Sequence, residues 1–141
     1  MNIGDRNKKV ILSFFKALED GSANTVASLF TEDGVQKNPY GSGLFPAGVQ
    51  GTDAIIEYWA APIENFESMS FDIEEIYAME DPTIVFVKFK GDIVLKNNAG
   101  VYSNDYYATF RFNEEGKITE YVEIFNPIVA ARGFGLIDQI K

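Results

Sequence analysis

The chain has 141 residues, a length that favours one domain spanning residues 1–141, and its 21 acidic and 12 basic residues give a net charge of −9. An acidic surface without a basic run repels phosphate groups, so the sequence disfavours binding to nucleic acid or to a membrane surface. Cysteine and histidine are absent, which excludes disulfides, Ser-His or Cys-His catalysis and the commonest metal ligands. Acid/base chemistry must therefore come from Asp, Glu, Tyr or Lys, and we expect neither a cofactor nor a metal.

The N-terminal segment lacks the features of a signal peptide, and no apolar run approaches the ~18 residues that span a membrane. We therefore expect a soluble, cytoplasmic protein. Aromatic residues make up 14% of the chain, with 12 Phe and 7 Tyr. Such rings fill a core, but they also line pockets for flat or apolar ligands.

The first part of the chain has the apolar spacing of helices. Residues 7–18 place their large apolar side chains on one helix face, and Gly21 then ends that helix. A second, shorter helix extends to Phe30, with Ser22 or Asn24 as its N-cap. The chain therefore begins with two consecutive helices.

A short strand, a loop and a third helix follow. Residues 35–40 predict a strand, and residues 41–51, with four glycines and one proline, predict a loop at the rim of a pocket. The third helix is capped by Thr52 or Asp53. Pro62 is expected to kink or end it, because proline removes a backbone donor.

The second half of the chain changes to an apolar period of two, which indicates strands. Residues 68–78 predict a strand whose phase slips at residues 74–75, the signature of a β-bulge. Residues 83–95 predict a second long strand. Residues 101–127 predict two more, joined by a Gly-ended turn at residues 113–116 and followed by a short helical stretch.

This order of elements predicts an α+β fold. Consecutive antiparallel strands usually pair in sequence, which gives a curved, mostly antiparallel sheet with the three N-terminal helices packed over its concave face. A bent sheet covered in this way leaves a cone-shaped cavity, the kind of place where small ligands bind.

Glu123 is the residue on which the functional question depends, because it shares one strand face with Tyr121 and Phe125. This face is predicted to point inward, and a carboxylate there has two interpretations. It is a structural group held by Arg111, Lys88 or a tyrosine hydroxyl. Alternatively, the surrounding rings raise its pKa toward neutrality and it acts as a general acid/base.

Other polar and aromatic side chains are placed near this face by the predicted elements. The neighbouring strand carries a similar inward face, the third helix supplies two rings, and the segment before the Gly-rich loop supplies a pocket mouth. For each of them, packing in the core is the alternative to contact with a ligand. The candidate ligand-pocket residues are Asn38, Tyr40, Tyr58, Trp59, Asn104, Tyr106, Tyr121 and Phe125.

Motifs along nearly the whole chain resemble the NTF2-like superfamily, and within it the SnoaL-like group of small cyclases and isomerases. The C-terminal half is most similar to the phenazine-biosynthesis A/B proteins. The motifs that carry these resemblances are Gly51-Thr52-Asp53-Ala54-Ile55, the turn Asp81-Pro82, Tyr102-x-Asn104, Gly116-Lys117-Ile118, Glu123 with Asn126, and the tail 132–136.

The resemblance implies a cone-shaped pocket within an α+β barrel of the cystatin type, and a homodimer formed through the open face of the sheet. The phenazine branch implies acid/base assistance to the condensation of small cyclic amino-ketones, with Glu123 at the position of its catalytic acid. This chain departs from that branch at Tyr58, which stands where the branch has a pocket histidine.

Two functions follow from these observations. The first is a cofactor-free isomerase, cyclase or condensing enzyme that uses Glu123 on a small apolar, cyclic or aromatic metabolite. The alternative is a non-catalytic module of the same fold that binds a ligand or a protein. A third and weaker hypothesis is a scaffold whose pocket is filled by its own Tyr and Phe side chains.

Overall fold

A computed structural model describes residues 1–140 and confirms the predicted α+β class. The helices are α1 (Ile3–Glu19), α2 (Ala23–Ser28), α3 (Thr52–Asn65) and α4 (Pro127–Gly133). The strands are β1 (Phe30–Lys37), β2 (Gly48–Gln50), β3 (Phe66–Ala78), β4 (Ile84–Leu95), β5 (Val101–Phe112) and β6 (Ile118–Phe125).

Local sequence signals explain where the first two helices begin. The side chain of Asn2 accepts a hydrogen bond from the Asp5 amide at 2.8 Å, which caps α1. Ser22 rather than Asn24 caps α2, because its hydroxyl accepts from the Thr25 amide at 3.2 Å.

The start of the third helix differs from the prediction. Its N-cap is Gly51, with φ of 95°, and no side chain caps the helix. The predicted capping by Thr52 or Asp53 is therefore wrong, because the left-handed turn at Gly51 places both residues inside the first helical turn. Pro62 lies in the last turn, and α3 ends at Asn65.

The six strands form one open sheet in the order β2-β1-β6-β5-β4-β3, which is not closed into a barrel. The four long strands pair antiparallel in chain order, whereas β1 runs parallel to β6. The strand predicted at residues 35–40 instead covers Phe30–Lys37. Residues 31–34 have the composition of a turn, so the first half of this strand was not predicted. They coincide with a shift in the β1–β6 register between Phe30 and Val35.

The predicted loop at residues 41–51 contains the short strand β2, which pairs antiparallel with β1. The predicted β-bulge is confirmed, because the β3–β4 register shifts between Ile73 and Glu75. In the hairpin that joins β5 and β6, Gly116 has φ of 82°. Glycine adopts this backbone conformation without a steric penalty.

The helices pack on one face of the sheet, and the buried aromatic core lies between the two layers. Phe14 of α1 is fully buried, with its ring centroid 5.2 Å from that of Phe15, 5.3 Å from Phe110 and 4.9 Å from Tyr121. The opposite face of the sheet exposes the large side chains of Tyr77, Tyr107 and Ile124. Within residues 1–140, no helix combines the length and apolarity needed to cross a membrane.

Replacing Phe14 with alanine is expected to lower the free energy of unfolding by about 3–5 kcal/mol, because it removes a ring from the centre of the core and leaves a cavity. Equilibrium urea denaturation measures the effect. Leu12→Ala on the exposed side of the same helix is the control, with an expected change below about 0.5 kcal/mol. Equal losses in the two variants would contradict the assignment of the core.

Candidate functional site

A cavity of about 460 Å³ lies between the concave face of the sheet, α3, α4 and the loop that follows β1. Its wall is mainly apolar and aromatic. The wall includes exposed residues of the loop and of α3, among them Pro46 and Glu57, so the cavity opens to solvent there. The hypothesis of a pocket filled by its own side chains is therefore wrong.

Glu123 lies on the inner face of β6, opposite Ala108 of β5, and only 8% of its surface is exposed. The Tyr121 hydroxyl donates a hydrogen bond to its Oε1 atom at 3.1 Å. Among residues 1–140, no Lys or Arg forms an ion pair with it. Arg111 instead pairs with Glu120 at 3.5 Å and Lys88 pairs with Glu75 at 3.6 Å. Of the predicted structural partners, only a tyrosine hydroxyl is present.

The environment of Glu123 raises the pKa of its carboxyl group to about 7, because burial penalises the charged form. The Tyr121 hydrogen bond acts in the opposite direction and only partly offsets this effect. No described side chain or backbone group donates to Oε2, yet residues 1–140 contain no fully enclosed side-chain oxygen or nitrogen without a partner. Oε2 is therefore accessible from the cavity, and near neutral pH the group is able both to accept and to donate a proton.

Four tyrosines lie around this carboxyl group: Tyr102, Tyr106 and Tyr121 are buried, and Tyr58 is partly buried. Burial raises the pKa of each hydroxyl above its ordinary value, and the negative charge of Glu123 raises it further. The hydroxyls are consequently neutral at physiological pH. They act as hydrogen-bond donors and acceptors rather than as bases.

A chain of hydrogen bonds links α3 to β1 along one side of the cavity. The Trp59 indole nitrogen donates to Gln36 Oε1 at 2.9 Å, and Gln36 Nε2 donates to Asn38 Oδ1 at 3.4 Å. Asn38 Nδ2 then donates to the Tyr58 hydroxyl at 2.9 Å and to the Pro46 carbonyl oxygen at 3.1 Å. This chain fixes the α3 rings relative to the sheet.

A second polar group lies at the other side of the cavity, where β5 approaches α4. Asn104 Nδ2 donates to the Tyr102 hydroxyl at 2.7 Å and to the Asn126 carbonyl oxygen at 3.0 Å. The Tyr102 and Tyr106 hydroxyl oxygens lie 3.0 Å apart. The Tyr106 ring stacks on Phe89 with centroids 4.8 Å apart, which holds it in place.

The structure brings most of the predicted site residues to the cavity wall. The residues that line it are Asn38, Tyr58, Trp59, Tyr106, Glu123 and Phe125. Tyr121 is not on the wall but fully buried beside Glu123.

Two predicted pocket residues lie elsewhere. Asn104 lies on the predicted inner face of β5, but Ala108 is the residue of that face opposite Glu123, and the Asn104 amide is occupied by Tyr102 and Asn126. Tyr40 follows the end of β1 and is 54% exposed, because the chain has already left the sheet at that point.

The loop predicted at the pocket rim contributes Phe45 to the cavity wall, whereas sequence reasoning missed Phe134 and Tyr102. Phe45 of the loop packs its ring 5.7 Å from Phe125 and 6.2 Å from Phe134, which follows α4. Irregular segments have no periodicity, so the sequence contains no signal for these two contacts. Tyr102, by contrast, shares the face of Tyr106, and extending the period of two along β5 would have found it.

The family profile of the SnoaL-like domain matches residues 11–121 of this chain. The Bacillus subtilis protein YesE, itself uncharacterised, is 22% identical over 135 residues, which cover 96% of this chain and 91% of YesE. The chain therefore belongs to the SnoaL-like domain family, within the NTF2-like superfamily.

Solved structures share the fold. A candidate isomerase from Bacillus subtilis is 22% identical, with a TM-score of 0.87 over 96% of this chain and 97% of its own. A phenazine biosynthesis-related protein from Pseudomonas aeruginosa is 18% identical, with a TM-score of 0.79 over 95% of this chain and 83% of its own. Other neighbours of this fold are a pinacolase, an epoxide hydrolase/cyclase-like enzyme and a candidate SnoaL-like polyketide cyclase.

The raised pKa of Glu123 predicts a specific dependence of stability on pH. The unfolded carboxyl group ionises near its ordinary pKa of 4.5, whereas the folded one keeps its proton up to about 7. The group's contribution to stability is therefore fully present below 4.5 and is lost as the pH rises through about 7, a change of about 3 kcal/mol.

Urea denaturation as a function of pH checks this expectation. The wild type is expected to lose stability between these two pH values, and Glu123→Gln is expected to lack this component and to be the more stable protein in alkaline solution. Glu120→Gln, on the outer face of the same strand, retains Glu123 and so retains the fall. Parallel pH curves for the wild type and Glu123→Gln would contradict the shifted pKa.

Proposed function

We propose that the protein is a cofactor-free acid/base enzyme, an isomerase, cyclase or condensing enzyme, that acts on a small apolar cyclic or aromatic metabolite through Glu123. One observation carries the proposal: Glu123 is buried, lacks a cation partner among residues 1–140, and has one carboxylate oxygen open to an apolar cavity. Apolar, desolvated carboxyl groups with a pKa near the working pH are suited to general acid/base catalysis.

In this proposal the carboxylate of Glu123 removes a proton from one atom of the bound compound, and the bonding electron pair stays with that compound. The resulting carboxylic acid then returns the proton to a different atom of it, which regenerates the carboxylate. Protons and electrons balance without an external oxidant or reductant. The relatives support this class of reaction, since a candidate isomerase and a phenazine biosynthesis-related protein share the fold.

The alternative function is a module that binds a ligand without turning it over. Tyr58 favours this alternative, because it stands where the phenazine branch has a histidine and burial raises its pKa. A tyrosine in this state does not ionise at neutral pH, so it cannot take the place of the histidine as a second acid or base beside Glu123.

A self-association surface is a further part of the proposal. The outer face of the sheet exposes Tyr77 on β3, Tyr107 on β5 and Ile124 on β6, and register pairs the last two side by side. Exposed apolar side chains clustered on one sheet face are typical of a protein–protein contact. We propose that two copies of the chain associate through this face.

The enzymatic proposal is tested by exchange of substrate protons with solvent. Cyclic ketones and aromatic metabolites that raise the melting temperature of the wild type are incubated with it in D2O, and loss of the C–H signal next to the carbonyl group is followed by NMR. The rate is expected to rise with pH to half its maximum near 7, because the carboxylate is the reactive form. Glu123→Gln is expected to slow it by a factor of about 100 or more.

Glu120→Gln is the matched control, because it removes one carboxyl group from the outer face of the same strand. It is expected to leave the rate unchanged. Equal exchange by wild type and Glu123→Gln would remove Glu123 as the catalyst, and tight binding without exchange would favour the binding module.

The self-association proposal predicts that the wild type has twice the mass of one chain in solution. Tyr107→Asp should shift it toward the monomer, because it places a charge at the centre of the contact and two chains of net charge −9 already repel each other. Size-exclusion chromatography with light scattering measures the mass. Leu12→Asp on exposed α1 is the control, and a monomeric wild type at micromolar concentration would contradict the proposal.

A further inference from the structure

The hydrogen-bond chain through Asn38 determines the direction of the Tyr58 hydroxyl. The Trp59 indole nitrogen can only donate, so Gln36 must present Oε1 to it and Nε2 to Asn38. The Pro46 carbonyl oxygen can only accept, so Asn38 must present Nδ2 to it and to Tyr58. The Tyr58 oxygen therefore accepts, and its own proton has no acceptor among residues 1–140.

The same reasoning applies on the other side of the cavity. Asn104 is fixed in orientation, because its Oδ1 accepts from the Asp105 amide and its Nδ2 donates to the Asn126 carbonyl oxygen. Its Nδ2 therefore donates to the Tyr102 hydroxyl, which lies in turn against that of Tyr106.

One hydroxyl proton of this tyrosine pair is left without an acceptor among residues 1–140, whichever of the two donates. The head-to-tail order, in which each hydroxyl accepts one bond and donates one, is the cooperative arrangement. In that order Tyr102 donates to Tyr106, and the unused proton lies on Tyr106. Tyr58 and Tyr106 both line the cavity that contains Glu123.

We propose that Tyr58 and Tyr106 donate hydrogen bonds to the same acceptor oxygen of the ligand, so that the cavity selects small apolar ring compounds carrying a carbonyl group. Tyr106 is buried and Tyr58 is partly buried. Two such donors without internal acceptors favour a ligand that supplies an acceptor, because a donor shielded from water and left unmatched costs free energy. The mainly apolar wall, with Phe125 and Phe134 among its rings, fits the remainder of such a compound. This inference rests on the proposed function for its cavity, but not for turnover.

In the proposed reaction the two tyrosines have a defined task. When Glu123 removes a proton from the carbon next to the carbonyl group, the electron pair of that C–H bond moves toward the carbonyl oxygen. The two hydroxyls stabilise the negative charge that develops there. They keep their own protons, because burial holds both pKa values above the ordinary value of 10 even when Glu123 is protonated.

The test compares two probe compounds of nearly the same shape, the ketone α-tetralone and the hydrocarbon tetralin. Calorimetry measures both dissociation constants, and infrared spectroscopy of carbonyl-labelled α-tetralone measures the C=O stretch in the bound state. Tyr58→Phe and Tyr106→Phe are each expected to weaken the binding of α-tetralone roughly three- to tenfold. Both are expected to leave the affinity for tetralin unchanged. Each is also expected to raise the frequency of the bound C=O stretch.

Tyr107→Phe is the matched control, because it removes a hydroxyl from the outer face of β5 and is expected to change neither affinity nor frequency. A wild-type C=O stretch equal to that of α-tetralone in an apolar aprotic solvent would overturn the inference without any variant. So would equal losses for ketone and hydrocarbon in folded Tyr58→Phe and Tyr106→Phe.

The outcome is separable from that of the proposed function. Loss of the ketone preference with an intact Glu123-dependent exchange rate would refute the tyrosine pair alone. A retained ketone preference without Glu123-dependent exchange would refute catalysis and leave the carbonyl-binding site in place.

Discussion

The structure depends on one constraint: a carboxyl group lies among aromatic rings, and no cation of residues 1–140 balances it. Strand alternation causes this arrangement, because it directs Glu120 to the outer face, where Lys37 and Arg111 meet it, and directs Glu123 to the inner face. An ionised carboxylate there is costly, so burial raises the pKa of Glu123 to about 7. The Tyr121 hydroxyl offsets part of this cost by donating a hydrogen bond to the carboxylate. The fold thus maintains a weak acid whose two forms are nearly equal in free energy at neutral pH.

The polar groups around this acid are neutral amides and phenols, and they are connected rather than isolated. The chain from Trp59 through Gln36 and Asn38 to Tyr58 joins a helix, a strand and the loop at Pro46. Such a network satisfies buried donors and acceptors with neutral groups. It also orients the groups that face the cavity, since each member has a fixed direction of donation.

Membership of the SnoaL-like family fixes the architecture, but one fold hosts many reactions. What distinguishes this chain is the polar content of its cavity. The chain contains no histidine, and the cavity wall carries Tyr58. The tyrosine hydroxyls around Glu123 hold their protons, which suits the proposed substrate, whose oxygen becomes negative during the proposed reaction.

The sequence by itself determined the features that follow from local periodicity. The inner face of Tyr121, Glu123 and Phe125, the β3 bulge and the buried face of α1 all depend on the alternation or turn of one segment. The first half of β1 was nevertheless not predicted, because residues 31–34 have the composition of a turn and their pairing with β6 is irregular.

Only the tertiary structure decided which distant segments meet. The parallel pairing of β1 with β6 places Gln36 beside Tyr121 and brings Asn38 to Tyr58 of α3, and the loop residue Phe45 reaches Phe134 beyond α4. The same geometry places Asn104 and Tyr40 outside the cavity wall. These contacts depend on strand register and on the packing of helices against the sheet. Neither is encoded in the spacing of neighbouring residues, because each results from the burial of the whole apolar surface at once.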